Sequence, residues 1–337
     1  MSKVQVSILV SGLLLGGITS TAGHRKPLPR PVLKKIEHAP TGTRLRPDPT
    51  TGQPVEYRVD GKITYDEKSG NFLLQWTGRD GTRKTIVYEP ATKLDPVIAA
   101  GVEYDGKADR FRYSYGLSNL PTSRQKLTHL YLELRAPIQE VKAPDATWHS
   151  KPFTDFLREK FKVEGGWVWS QVMQGRIGLL PGEKAVGLSY LSSGLPAVVR
   201  CYAQPHPILV GIGEELPEEL HAAIHREMWT IPYGVTVGPA LPPQPFEPAS
   251  FARRIIGMVD VSLQEGWIES PTVAQEIRTL LGNAVAALQR QDITQAASIV
   301  RTLLQRVEQE NERTLLSEAY ALLKFNLEFL QKQLGSR

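Results

Sequence analysis

Cysteine is nearly missing from this 337-residue chain, where Cys201 stands alone. One thiol excludes an intramolecular disulfide framework and any cysteine-rich zinc module. Long apolar runs are equally scarce. A single one, VQVSILVSGLLLGGI, lies near the start, which excludes a polytopic membrane protein. Familiar catalytic signatures are missing as well. No serine has a Gly-x-Ser-x-Gly setting, so there is no nucleophile elbow. Gly211 and Gly213 begin a Gly-x-Gly, but no third glycine follows, and Glu214 and Glu215 would repel a phosphate. A large excess of one charge is also lacking: 40 Lys and Arg stand against 35 Asp and Glu, and an apolar fraction of 41% belongs to a globular protein.

The charge that exists is concentrated. Between residues 23 and 46, Arg25, Lys26, Arg30, Lys34, Lys35, Arg44 and Arg46 face Glu37 alone. The rest of the chain is close to neutral and offers no broad surface for nucleic acid, so none is expected as a partner. Ahead of this segment, Lys3, the apolar run and the small residues Ser20, Thr21 and Ala22 make the three parts of a secretory signal. Residues 1–22 are expected to be removed, leaving no membrane span. The protein is then secreted or periplasmic, that is, extracytoplasmic. Residues 23–54 are expected to be a solvated, basic, proline-containing leader, with a glycan or cell-envelope polymer as its possible class of partner.

Residues 55–238 follow a period of two. In FRYSYGL, Phe111, Tyr113 and Tyr115 share one face while Arg112 and Ser114 share the other. LTHLYLEL groups Leu130, Leu132 and Leu134 in the same way, and Ser118 to Pro121 between the two runs suits a hairpin or a Greek-key corner. VEYRV, FLLQW, TIVYE, GWVWSQVM, AVGLSYL and AVVRCYA read as further strands. Helical spacing interrupts them after Pro152 (Phe153, Phe156, Leu157) and from Pro217 to Met228. Residues 239–249 are expected to be a proline-rich linker that contacts little on either side. From 250 to 334 the period becomes 3.6. Ser250, Ser270 and Asp292 are expected to cap helices, Ser317 to open a fourth, and Gly266 to end the first. The fold class expected is multidomain β plus α: an antiparallel β-sandwich followed by a small C-terminal helical bundle that folds by itself.

Chemistry-bearing residues are few. His221 and His225 are four apart on the helix after Pro217, the spacing of a zinc-binding pair. HAAIHRE lacks the glutamate of a zincin and no third ligand is identifiable, so no metal and no cofactor are expected. Cys201 alternates with Val199 and Ala203 on a strand and is expected to be buried. Trp167 and Trp169 project from one strand face. They are the candidate binding residues if that face meets solvent, where tryptophans stack on sugars, and core residues if it does not.

Two segments carry a resemblance. Residues 111–134, FRYSYGLSNLPTSRQKLTHLYLEL, and 178–196, GLLPGEKAVGLSYLSSGLP, resemble a strand, turn and strand and its later partner in exported bacterial proteins of unassigned function. Gly266 to Leu334 is similar to the FIMAH-type helical domain that ends many extracellular bacterial proteins, some of them polysaccharide-degrading enzymes. That resemblance implies export and an accessory role without chemistry of its own. The function expected is a non-catalytic binding or adhesion module of the envelope, the alternatives being an extracellular hydrolase with a dispersed site and a carbohydrate-binding accessory protein. Nothing in the sequence sets an oligomeric state.

Overall fold

The computed structural model describes residues 25–31, 41–48, 50–78, 81–172, 177–206, 209–210, 217, 220 and 231–335. The expected secretory signal lies outside them. The first strands are β1 (Thr41–Pro47), β2 (Pro54–Asp60), β3 (Lys62–Asp66), β4 (Asn71–Thr77) and β5 (Arg83–Tyr88). After a 3-10 turn at Ala91–Lys93 come β6 (Pro96–Asp105), β7 (Arg110–Asn119), β8 (Leu127–Glu133), β9 (Ile138–Lys142) and β10 (His149–Pro152). Helix α1 (Asp155–Phe161) precedes β11 (Gly166–Ser170), β12 (Lys184–Ser192), β13 (Leu195–Pro205), β14 (Leu209–Val210) and β15 (Tyr233–Ala240). Four helices close the chain: α2 (Pro248–Glu265), α3 (Pro271–Gln289), α4 (Ile293–Glu310) and α5 (Ser317–Gly335).

A β-sandwich forms the centre. One sheet has four strands in the order β6-β7-β12-β9, the other five in the order β10-β11-β8-β13-β15, and every pairing is antiparallel. The alternation in FRYSYGL puts Tyr113, Tyr115 and Leu117 inside, against Leu130, Leu132, Trp169, Tyr190 and Cys201. Buried phenols need partners. The Tyr113 hydroxyl donates to the Gly194 carbonyl (2.8 Å), and that of Tyr115 donates to the Val237 carbonyl across the sandwich (2.8 Å). Strands β7 and β8 lie in different sheets, so the turn between them is a corner that changes sheet rather than a hairpin. Asn119 secures it by donating its amide to the carbonyls of Gln125 and Leu179, both at 2.9 Å.

The sandwich does not begin at residue 55. Strands β1 and β2 pair with each other, while β3, β4, β5 and β14 form a separate four-stranded sheet. Its own core consists of Ile63, Phe72, Leu74, Trp76, Ile86, Tyr88 and Leu220. Alternation alone cannot say which sheet a strand joins, because every half-buried strand carries the same pattern.

The four last helices match the 3.6 period. Ser270 accepts from the Val273 N–H, Asp292 from that of Gln295, and Gly266 ends α2 at φ +78°. Helix α2 opens earlier than expected at Ser250. Pro248 suits the first turn, and the Glu247 carboxylate accepts the N–H groups of Ala249 and Ser250.

Three expectations are corrected here. The proline-rich stretch is no contact-poor spacer: β15 runs to Ala240, and Phe246 packs on Phe251 and Phe329. The helical stripes also do not face each other alone, for α5 lies on β6, β13 and β15, and one apolar cluster runs from Tyr113 through Phe251 to Leu330. Residues 25–31 of the expected leader are docked rather than solvated, with Leu28 8% exposed. No described helix is long and apolar enough to cross a membrane.

Candidate functional site

Both tryptophans face the sandwich interior. Trp167 and Trp169 stand beside Leu132 and Leu130 of β8 in register, on the face turned toward the other sheet. Trp169 is 0% exposed, stacks on Tyr190 at 6.0 Å and donates its indole N–H to the Lys142 carbonyl (3.1 Å). Trp167 is half-buried against the same core. Trp169 offers no surface platform, because β11 lies inside its sheet and its apolar face closes the sandwich. Cys201 is buried there too, and burial pushes its thiol well above the ordinary value, away from the nucleophilic thiolate. His221 and His225 lie outside the described residues. Among the described residues no group of three His, Cys, Asp or Glu could hold a metal.

The opposite face of the five-stranded sheet has a different character. Register places Tyr131 of β8 beside Tyr202 of β13, and Tyr202 beside Tyr233 of β15, so three tyrosines line up across three strands. Helix α1 lies over this line. Thr154 caps its start, Lys162 ends it in the left-handed region at φ 53°, and Phe153, Leu157 and Phe161 are its buried contacts with the sheet. Phe161 stacks on Tyr202 with centroids 4.0 Å apart and meets Tyr131 edge-on at 5.4 Å. The row continues to Tyr233, 6.1 Å from Tyr202 and 60% exposed, at the sheet edge.

Polar groups hold both sides of this row. The exposed Arg200 donates its guanidinium to the Phe161 carbonyl at the end of α1 (3.1 Å). Its backbone N–H donates to Glu133, which also receives two hydrogen bonds from Arg135, at 2.9 and 3.0 Å. Burial alone would raise the Glu133 carboxyl, but these donors outweigh it and hold the group below its ordinary value.

At the other end His129 stacks on Tyr131 at 5.5 Å with rings 4° from parallel, and the Tyr131 hydroxyl donates to Gln204 Oε1 (2.5 Å). The Thr128 hydroxyl donates to the Gln204 carbonyl (3.0 Å), so it accepts from His129 Nδ1–H at 2.8 Å. Burial first, and then the charges of Lys151 and His206, push His129 down to about 4. Its imidazole is therefore neutral near pH 7, with Nε2 the basic nitrogen.

Sequence reasoning missed Tyr233. Its exposure follows from the register of three strands and from where α1 stops, and no local pattern encodes either.

No protein-family model and no curated protein matches the chain. Among solved structures, an uncharacterized protein from Nocardia farcinica, described as having an immunoglobulin-like fold, aligns with 43% of this chain and 97% of its own, at 11% identity and a TM-score of 0.24. The sandwich assignment rests on the sheet topology itself.

Proposed function

We propose that the protein is an exported, non-catalytic binding module whose helical C-terminal part is FIMAH-like, and that it presents the outer sheet face around Tyr233 to a glycan or another cell-envelope polymer. The observation that carries this reading is the aromatic row that ends in an exposed ring on a rigid sheet. A tyrosine flanked by Tyr202 on the neighbouring strand offers a flat apolar face and a polar tip, which suits the apolar face of a sugar and its hydroxyls. Arg200, exposed on the adjacent strand, adds a fixed cation for an acidic polymer. The secretory signal read in residues 1–22 supports the location.

Affinity electrophoresis through gels containing neutral and anionic polysaccharides tests the reading. Retardation by at least one polymer is expected, and Tyr233→Ala should reduce it about tenfold, the scale of a lost stacking contact, with an unchanged melting curve. Equal mobility of both proteins in every gel would overturn it.

A further inference from the structure

The four-stranded sheet ends at β6 and the five-stranded sheet at β15, and α5 packs against both of these edges. Residues 25–30, Arg-Lys-Pro-Leu-Pro-Arg, lie along the surface that these edges form with the start of α5 and the end of α2. We propose that it is a peptide-binding groove for a basic segment with Arg-x-x-Leu-x-Arg spacing, and that these residues are its resident ligand.

The first contact is the deepest. Arg25 donates Nε to Glu318 Oε1 (2.9 Å) and one Nη to Oε2 (3.0 Å) and to the Ser317 hydroxyl (3.0 Å), with side chains 6% and 1% exposed for Arg25 and Glu318. The receiving groups are positioned independently of the arginine. Glu318 Oε1 accepts the Ala100 N–H of edge strand β6 (2.8 Å), and Ser317 donates to the Ala100 carbonyl (2.7 Å). One residue on, Lys26 donates to the Gln264 carbonyl near the C-terminus of α2 (3.0 Å), where the helix end favours a cation.

The middle of the segment is apolar and extended. Pro27 and Pro29 have no N–H and hold the backbone straight, which lowers the entropy lost on docking. Leu28 between them donates its N–H to the Pro96 carbonyl (2.8 Å) and enters the core. Gly234 of β15 makes room for it, since a Cβ there would stand 2.9 Å from Leu28 Cδ2. At the far end Arg30 forms a two-pronged pair with Asp95, at 2.7 and 2.6 Å. Asp95 too is held by the fold, through the Thr122 hydroxyl to its carboxylate (2.8 Å) and its own N–H to Ser123 (2.7 Å).

Each anchor is thus one ligand side chain, or one backbone N–H, on a receptor group that other contacts already fix. Two paired charges at the ends and one apolar residue between them set the spacing that the groove reads.

The test uses the full chain with a specific protease site inserted between Lys34 and Lys35. After cleavage the released segment is expected to co-elute with the body and to exchange for a fluorescent peptide of residues 23–31. A peptide with Arg25→Ala and Arg30→Ala should compete at least about tenfold less well, as expected when the buried Arg25–Glu318 pair loses one partner. An Asp95→Asn body, which keeps the deep anchor, should bind the peptide more weakly and lose the discrimination at Arg30. Unfolding of the nicked protein would overturn the proposal, because the segment would then be an inseparable part of the fold. So would a folded nicked body that takes up no peptide, or one that binds both peptides equally.

Discussion

The small sheet of β3, β4, β5 and β14 and the central sandwich are both antiparallel, yet they satisfy their apolar faces in different ways. The small sheet closes a core of seven residues that includes Leu220 and shares it with none of the C-terminal helices. The sandwich core extends instead into α2, α5 and the strap of residues 25–30, through Phe251, Leu322 and Leu28. An edge strand with free backbone groups is a liability, and Ser317 and Glu318 at the start of α5 cover β6 by bonding the N–H and carbonyl of Ala100. The shared core predicts one unfolding unit that spans the proline-rich stretch.

The largest expected effect breaks that shared core. Glu318→Ala strands the Arg25 guanidinium and the Ala100 N–H away from water and should cost ~3–5 kcal/mol, the usual result of removing one partner of a buried pair. Helix signal in circular dichroism and tryptophan fluorescence should fall to the same lower midpoint. Loss of the helix signal alone would split the unit.

A next smaller effect should stay on the other side of the comparison. Leu74→Ala empties the middle of the small core and should cost about 3 kcal/mol. Hydrogen exchange should then speed up in β3, β4 and β5 and remain unchanged in β7. Equal loss of protection in β7 would mean that the two cores are coupled.

The smallest effect concerns the outer face. The fold lowers His129 from 6.5 to about 4, so between those values the unfolded chain binds more protons. Stability should fall as pH drops from about 6.5 to about 4, by roughly 2–3 kcal/mol, with no further loss from this group below that. Urea midpoints of the wild type and His129→Gln at pH 7 and pH 4.5 check it. An equally steep dependence in the variant would remove His129 as the cause.

Local signals were legible in the sequence because their physics is local. Ser270 and Asp292 cap helices, Gly266 ends one, and FRYSYGL alternates into a core, all from neighbours within a turn or a strand. What failed depends on distant partners. Arg25 and Leu28 read as solvated leader since Glu318 and Pro96, which receive them, lie far along the chain. Trp169 was a candidate platform because strand alternation defines a face but not what covers it. Tyr233 carries no local signal, as its exposure depends on β13, β15 and the end of α1 together. Pro248 belongs to a helix although it closes a run that reads as spacer.

Native-state hydrogen exchange of the full chain across a denaturant series tests the shared core most directly. The slowest amides of α3, around Leu281 to Leu288, and those of β7, from Tyr113 to Leu117, should lose protection with one midpoint and one slope. Helical amides that open at clearly lower denaturant, while β7 stays protected, would show that the bundle is a separate domain resting on the sandwich.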